Sequence, residues 1–259
     1  MNPYPFTERP ASDFPQKPPF YFSNFGLWEK EEWNYADAAF RMAEACGEHL
    51  NIMKSSWILD IGSGLGGSLF VWKKRFGAEK VTGINLPGAQ TEFALSVLKK
   101  EKLSGMEIIS GSWEKIQEIP SETFSQSVVL DCIYHFQNQK LFAEELYRVL
   151  RTGGSAAVTN IIYPSEKCQQ GMYGKLLSLS SGLSGIPKEN RMDADAFQKK
   201  FTDSGFRLIR NEKWGGKVFT GFRRFTSDRN IFLKFFGAVL ESFYRRGLLE
   251  YEFFLFEKI

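Results

Sequence analysis

A glycine-rich turn holds the residues best suited to grip a charged, nucleotide-like ligand. Residues 58–67 read ILDIGSGLGG, with an apolar run before the turn and a helical pattern after it. Gly62, Gly64 and Gly67 fit the G-x-G-x-x-G of dinucleotide sites, in which glycines let the backbone approach a pyrophosphate at a helix N-terminus. A second pattern, D-x-G-x-G-x-G, is matched by Asp60, Gly62, Gly64 and Gly66. The turn therefore predicts a cofactor site and leaves two cofactor classes open.

The acidic residue of this turn distinguishes the two classes. A pyrophosphate ~4 Å from the Asp60 carboxylate would be repelled by about 4 kcal/mol at an effective dielectric of about 20. S-adenosylmethionine (SAM) carries an ammonium and a sulfonium and no phosphate, so the same carboxylate attracts it. NAD enzymes place an acid at the end of the second strand, where this chain has Asn85, an amide that still bonds to a ribose diol. Asp60 and Asn85 favour SAM over NAD, and a glycine-rich turn that binds nothing is the third alternative.

Short apolar runs alternate with helical spacing from Trp57 onward and predict the elements that position the turn. Such alternation is typical of βαβ units with a parallel sheet. The predicted strands are residues 57–62, 80–86, 106–112, 125–133, 155–163, 206–214 and 249–259. The predicted helices are residues 68–76, 90–101, 140–150, 193–205 and 229–246, with one or two more in 28–49. We expect Gly153 and Gly154 to end the helix of residues 140–150, and Asp193 and Gly205 to begin and end the next one.

The 259 residues are predicted to form one α/β domain with additions. Apolar residues make up 43% of the chain, which is ample material for a large core. Residues 1–27 are Pro-rich and form a predicted arm or lid, followed by a domain of residues 28–259. Helical cap insertions are predicted at about 165–186 and 217–246, and the last helix is expected to carry on one face Phe232, Phe235, Phe236, Val239, Leu240 and Phe243. Together the arm and the insertions are expected to roof the site and exclude water.

The charge balance and the cysteines narrow the expected partners and compartment. The chain has 33 basic and 30 acidic residues and a formal net charge of +3, too balanced for nucleic acid to be an expected partner. Cys46, Cys132 and Cys168 lie far apart, which fits neither a disulfide framework nor a zinc site, and no metal is expected. The N-terminus lacks the apolar core of a signal peptide, and no apolar run is long enough to span a bilayer. We therefore expect a cytoplasmic protein without stable membrane insertion; the sequence leaves its oligomeric state open.

The chain from Phe20 to the C-terminus resembles the class I SAM-dependent methyltransferases. Residues 124–154, FSQSVVLDCIYHFQNQKLFAEELYRVLRTGG, resemble the segment from the fourth strand of these enzymes to the loop before the fifth. FSNFGLWE, GINLPGAQ and GLLEYEFFLFEK resemble the group of natural-product sugar O-methyltransferases, glycine and sarcosine N-methyltransferases, and tocopherol or quinone C-methyltransferases. The resemblance implies a Rossmann-like, seven-stranded, mostly parallel sheet with helices on both faces and an antiparallel last strand. It also implies methyl transfer from SAM to an O, N or C nucleophile of a small molecule, with S-adenosylhomocysteine as product.

The resemblance assigns the cofactor contacts. Asp60, Gly62, Gly64 and Gly66 would frame the methionine end of SAM. Asn85 would contact the ribose, and Gln90 would support the adenosine side. Where the family has Gly-Asp-Ala after the third strand, this chain has Gly111, Ser112 and Trp113, so the usual carboxylate partner of adenine is missing. Trp113 either stacks on adenine or packs against the sheet.

The resemblance also points to residues at the end of the fourth strand, the edge where open α/β sheets bind ligands. Asp131 and His135 are the candidate catalytic residues, and Asp131 would also touch the cofactor. In related O-methyltransferases the matching His is a proposed general base, a task suited to a pKa near neutrality; the alternative is a structural hydrogen bond to the following helix. His49 is read as a polar residue on a solvated face. Asn160 stands where some relatives have an Asp, so a His–Asp pair is lost.

The sequence does not identify the small molecule that accepts the methyl group. The aromatic residues of the arm and caps suggest an apolar or ring-bearing small molecule, with Tyr21, Trp28 and Asn160 as candidate contacts. Basic residues around the last helix favour an anionic acceptor, a membrane surface or simply a solvated face. Two other functional classes stay open, a SAM-fold protein that binds without catalysis and an NAD-dependent oxidoreductase.

Overall fold

The computed structural model describes residues 14–164 and 170–259. Its strands are β1 (Trp57–Ile61), β2 (Lys80–Asn85), β3 (Met106–Ser110), β4 (Phe124–Val129), β5 (Leu150–Ile162), β6 (Phe206–Lys213) and β7 (Glu250–Lys258). Its helices are α1 (Tyr35–His49), α2 (Gly67–Phe70), α3 (Ala89–Glu101), α4 (Gln139–Val149), α5 (Gly171–Leu183), α6 (Ala194–Thr202), α7 (Gly215–Thr226) and α8 (Ile231–Arg245). A π-helical turn (Val71–Arg75) continues α2, and short 3-10 turns cover Trp113–Glu118, Ile133–His135 and Lys188–Asn190.

The seven strands form one sheet in the order β3-β2-β1-β4-β5-β7-β6. Strands β1 to β5 pair in parallel, whereas β7 lies antiparallel between β5 and β6. The predicted fold is therefore confirmed, including the antiparallel last strand. The direction in which successive strands are added to the sheet reverses between β1 and β4. The carboxyl ends of these two strands therefore flank the crevice in which such sheets bind ligands.

Local sequence explains why most elements begin where they do. Asn34 begins α1, where its side chain accepts a hydrogen bond from the Asp37 amide, and Asp193 begins α6 by accepting one from Ala196, as predicted. Strand β1 is nearly all apolar because both of its faces are covered, as expected for a central parallel strand. Two hydrophobic clusters of buried residues, one on each face of the sheet, enclose β1.

Two sequence predictions about element ends and faces are wrong. Gly153 and Gly154 do not end α4; the helix stops at Val149, and both glycines lie inside β5, where the β4–β5 register shifts and Gly153 has a φ of +73°. The buried face of α8 is also rotated from the predicted one. Gly237 has no side chain and sits against Thr226 of α7. This turns Phe232 and Phe235 out to solvent.

The predicted arm and first cap lie partly outside the described residues. The structure does not describe residues 1–13 of the arm or residues 165–169 of the first cap. The rest of the first cap contains α5, and the second contains most of α7 and all of α8. In the described part of the chain, no helix is long and apolar enough to cross a membrane.

Candidate active site

A cavity of about 350 Å³ opens at the carboxyl edge of the sheet. Of the residues predicted to form the site, nine line it: Tyr21, Gly62, Gly64, Asn85, Gln90, Ser112, Trp113, Asp131 and His135. They come from the N-terminal segment, the β1–α2 turn and the ends of β2, β3 and β4. The fold thus brings together residues up to 114 positions apart, because the parallel strands end at one edge and the N-terminal segment lies against it.

The glycine turn takes a backbone shape that side chains disfavour. Gly62, Gly64 and Gly66 have φ of +76°, +53° and +84°, a region that L-residues rarely adopt. A Cβ on Gly62 would lie 2.5 Å from the Cys132 sulfur. Gly66 serves as the N-cap of α2 and does not line the cavity. Its role is in the turn rather than at the predicted cofactor surface.

Asn85 holds the glycine turn in place. Its Oδ1 accepts a hydrogen bond from the Gly64 amide at 3.1 Å, and its Nδ2 donates to the Thr91 hydroxyl at 2.8 Å. The buried Ser63 hydroxyl, by contrast, has no hydrogen-bond partner among the described residues, and it lines the cavity. An unsatisfied buried hydroxyl beside open glycine backbone fits a polar ligand at this turn.

Asp60 lies behind the turn and does not line the cavity. Its Oδ2 accepts a hydrogen bond from the Trp72 indole at 2.6 Å, and its Oδ1 has no hydrogen-bond partner in the part of the chain that the structure describes. Burial raises the pKa of this carboxyl to about 6, against the lowering effect of its bonds to Ser68 and Trp72. Asp60 thus lies beneath the backbone of the turn, and its predicted place at the methionine end of the cofactor stays a prediction.

The N-terminal segment of residues 14–28 closes one side of the cavity. The Tyr21 carbonyl accepts a hydrogen bond from the Gly67 amide at 2.9 Å, at the start of α2. Phe22, Ser23, Asn24 and Phe25 follow along the cavity wall. In a dinucleotide site the pyrophosphate occupies this helix N-terminus, so the backbone of this chain fills the place that NAD needs.

Trp28 and Asn160 lie away from the cavity, contrary to their predicted contact with the acceptor. The Trp28 indole donates to the Phe25 carbonyl at 2.9 Å and stacks on Phe225, so it is core packing. Asn160 is fully buried. Its neighbour Thr159 points to the other face of β5, where the Thr159 and Tyr251 hydroxyls form a hydrogen bond. Alternation along the strand therefore turns Asn160 away from the ligand edge.

Trp113 packs against neighbouring aromatic rings, and its stacking on adenine stays a prediction. Its ring packs edge-on against Phe142 at 5.4 Å between centroids and parallel to Phe136 at 6.4 Å. It also lines the cavity with Ser112. The packing fixes the ring, which leaves a rigid apolar surface at the end of β3.

Asp131 joins three distant parts of the chain. Its backbone has a φ of +57°, and its carboxylate accepts hydrogen bonds from the Phe25 amide, the Tyr134 hydroxyl and the Tyr251 hydroxyl at 2.9, 2.9 and 3.0 Å. Burial raises the pKa of the carboxyl to about 6, while these three bonds act to lower it. The carboxylate thus fastens the N-terminal segment to β4 and β7 at the cavity wall.

His135 faces the cavity from the turn after β4. Its Nδ1 lies 3.1 Å from the Gly185 carbonyl oxygen. A carbonyl only accepts, so Nδ1 carries the proton and Nε2 the lone pair. Burial lowers the pKa of His135 to about 4, against the opposing effect of this hydrogen bond. The expected near-neutral pKa is wrong, and the hydrogen bond runs to the cap rather than to the following helix.

An apolar chamber forms the far end of the cavity and was not assigned from sequence. Its walls come from the caps and from residues that follow β5 or precede β7, and they include Tyr163, Leu177, Ile186, Phe222, Leu233, Phe236, Leu240, Phe243 and Leu249, with the serines of α5 among them. The spacing of the α8 members by three and four residues was a helical signal. The sequence left open whether these side chains contact an acceptor or form core, because a chamber wall and a core face share one pattern.

Comparisons with known proteins agree with this architecture. A family model described as "Methyltransferase domain" matches residues 59–158. The erythromycin 3''-O-methyltransferase of Saccharopolyspora erythraea is 26% identical over 192 residues, which cover 71% of this chain and 61% of that protein. A chloroplastic 2-methyl-6-phytyl-1,4-hydroquinone methyltransferase of Oryza sativa subsp. japonica is 28% identical over 167 residues, covering 64% and 43%. The chain thus spans less than two thirds of the length of these relatives.

Solved structures share the fold at low sequence identity. A geranyl diphosphate methyltransferase in complex with GPP and sinefungin gives a TM-score of 0.78 at 17% identity, covering 93% of this chain and 89% of that one. The geranyl diphosphate C-methyltransferase of Streptomyces coelicolor A3(2), with Mg2+, geranyl diphosphate and S-adenosylhomocysteine, gives 0.77 at 14% identity, covering 93% and 90%. Residues 59–158 of this chain thus match a methyltransferase domain, its listed relatives are methyltransferases of small molecules, and its described fold is similar to that of solved methyltransferases.

Proposed function

We propose that this protein transfers a methyl group from SAM to a neutral, apolar small molecule. The observation that carries the proposal is a single cavity with two different ends. One end is the glycine turn with Asn85, Gln90 and Trp113, and the other is the apolar chamber of the caps. Among the described lining residues none is Lys or Arg, and the ionisable acids and imidazole are Glu114, Asp131 and His135. Such a lining favours an uncharged acceptor over an anionic one.

The cofactor end suits SAM better than a dinucleotide. Open backbone at Gly62 and Gly64 and the unsatisfied Ser63 hydroxyl would receive the methionine part, with Gln90 and Trp113 on the adenosine side. SAM supplies an electrophilic methyl when bound. The Tyr21 backbone at the start of α2 argues against a pyrophosphate, and hence against the oxidoreductase alternative.

Positioning would account for most of the rate. The cavity wall holds the acceptor nucleophile in line with the methyl, and the arm and caps exclude water. The proposed lid is the described part of the arm, residues 14–27, with Trp28, and the proposed roof is α5, α7 and α8. Asp131 is proposed as a positioning residue, because its carboxylate is bonded to three protein donors and fastens the segment beside the reacting groups.

Calorimetric titration with SAM, S-adenosylhomocysteine and NADH tests the cofactor. We expect micromolar binding of the two adenosyl compounds and none of NADH. The Gly62→Ala variant should weaken SAM binding about 100-fold, since its Cβ would overlap Cys132 and its φ is disfavoured. Gly153→Ala is the matched control, because it has a similar φ of +73° with nothing within 4 Å of the added Cβ. NADH binding alone, or equal SAM affinity in the Gly62→Ala variant, would refute the cofactor assignment.

A screen of neutral, apolar hydroxyl, amine and quinol compounds tests the activity. We expect S-adenosylhomocysteine to form with an apolar member of the screen and not with its phosphorylated counterpart. Preference for the phosphorylated compound would contradict the neutral-acceptor proposal. Tight SAM binding with no turnover across the screen would favour the alternative of a binding protein without catalysis.

The His135→Gln variant tests the proposed role of the imidazole, which is to orient the acceptor from the cavity wall. We expect turnover to fall by about 100-fold, the low end of the range for proton-transfer groups, because a base with a pKa of about 4 is weak at neutral pH. The rate of the native chain should show no step near pH 6.5 from this residue. His49→Gln is the control, since His49 lies outside the cavity lining. Equal rates of His135→Gln and native protein at every pH would remove His135 from the mechanism.

A further inference from the structure

Helix α5 carries an apolar stripe on its outer face. Met172, Leu176, Leu179 and Leu183 follow one another by four, three and four residues, and their side chains are 68%, 48%, 61% and 75% exposed. The inner face of the same helix carries Leu177 and Ser181, which line the apolar chamber. The outer face of this helix is thus apolar, whereas a surface helix normally has a polar outer face. Scattered exposed apolar residues are ordinary, but a periodic stripe indicates a contact surface.

Helix α8 adds exposed apolar residues to the same cap. Ile231 and Phe235 are 82% and 69% exposed, while Leu233 and Leu240 of the same helix line the chamber. The two helices meet where the Arg246 guanidinium lies over the Tyr173 ring, 4.5 Å from its centroid. Both helices therefore line the chamber with some residues and expose apolar side chains with others, and they touch at this contact.

The charge around these faces is strongly positive. Residues 171–183 and 229–246 contain five basic residues and one acidic residue: Lys175, Arg229, Lys234, Arg245, Arg246 and Glu241. Glu241 pairs with Arg245 at 2.8 Å. The net charge of these two segments, +4, exceeds the +3 of the whole chain. Basic side chains beside exposed Leu, Ile and Phe match the headgroups and acyl chains of an anionic bilayer.

We propose that the outer faces of α5 and α8 form a docking surface for an anionic lipid bilayer. Apolar side chains enter the headgroup region, and the basic side chains lie among the lipid phosphates. A second copy of the chain is a poor occupant, because a symmetric dimer would bring two positive faces together. The surface does not depend on the enzyme's chemistry. A further step, entry of the apolar acceptor into the chamber from the bilayer, rests on the proposed function.

Co-flotation of the full chain with vesicles tests the docking surface. We expect binding to phosphatidylcholine vesicles that contain phosphatidylglycerol, weak binding to pure phosphatidylcholine, and loss of binding at high salt. The Leu179→Ser/Leu183→Ser and Ile231→Ser/Phe235→Ser variants should each weaken binding about 10- to 100-fold. Lys234→Gln/Arg229→Gln should weaken binding only to the anionic vesicles. Met53→Ser/Ile209→Ser is the matched control, because it removes two other exposed apolar side chains.

Three results would overturn the docking surface. The first is that the chain does not bind anionic vesicles at low salt. The second is that the control variant loses vesicle binding as much as the Leu179→Ser/Leu183→Ser and Ile231→Ser/Phe235→Ser variants do. The third is that the native chain sediments as a dimer and these serine variants sediment as monomers. Neither SAM nor an acceptor is present in the vesicle assay. A chain that floats with vesicles but never methylates would refute the proposed function alone, and one that methylates without floating would refute the docking surface alone.

Discussion

The Gly67→Ala variant is expected to bind SAM about 10- to 100-fold more weakly than the native chain. A Cβ on Gly67 would lie 2.2 Å from the Tyr21 carbonyl oxygen and 2.8 Å from its carbonyl carbon and nitrogen. These are backbone atoms, so the N-terminal segment must lift from α2 and its hydrogen bond to the Gly67 amide is lost. Relief of such an overlap costs about 1–3 kcal/mol, which corresponds to this change in affinity. Calorimetric titration with SAM measures it.

Gly182→Ala is the matched control for that variant. It is also a glycine-to-alanine change within a helix, but the nearest atom to its Cβ is the Arg191 guanidinium nitrogen at 3.6 Å, an ordinary contact. We expect unchanged SAM affinity and slightly higher stability, since alanine favours helix. If Gly67→Ala kept native affinity and a native circular dichroism spectrum, the segment of residues 14–28 would have no part in holding the cofactor.

The Asp131→Asn variant is expected to lose about 1–3 kcal/mol of unfolding free energy and most of its turnover. Three donors point at the native carboxylate, from Phe25, Tyr134 and Tyr251. An amide offers one accepting oxygen and places an NH2 group against at least one of these donors. An unsatisfied buried donor costs about this much free energy, and the N-terminal segment is released from the wall. Urea unfolding and single-turnover kinetics measure the two effects.

The same variant tests the pH dependence of stability. The pKa of Asp131 is about 6 in the folded chain against an ordinary 3.8, because burial disfavours the charged form. The folded state therefore binds the proton more tightly, and this contribution to stability is complete below about pH 3.8 and lost as pH rises through about 6. The stability difference between native chain and Asp131→Asn should shrink over that range. Asp203→Asn, which removes the exposed carboxylate paired with Lys199, is the control for the loss of one negative charge. A difference that is flat or grows with pH would contradict the buried carboxyl.

The acceptor chamber and the docking surface illustrate a limit of periodicity. The pattern of α8 predicted a helix with an apolar face, and the helix is there. A spacing of three and four residues between apolar side chains does not show whether that face of the helix meets core, cavity or solvent, because the same side chains occur in all three cases. The contact of Gly237 with Thr226 decided the rotation of the helix. Phe235 was predicted on the same face as Leu240 and Phe243, and it is exposed whereas they are buried.

The sequence by itself determined the order of the strands along the chain, the glycine turn and the resemblance to the methyltransferases. These depend on neighbours a few residues apart: turn glycines, the Asp193 cap and the runs of buried strand residues. Only the tertiary structure decided how distant groups meet. Asp131 receives its donors from 106 and 120 residues away, Tyr21 lies on Gly67, and Gly185 bonds His135. Contacts over such separations, and the burial that lowers the pKa of His135, arise from packing of the whole chain, which no local pattern encodes.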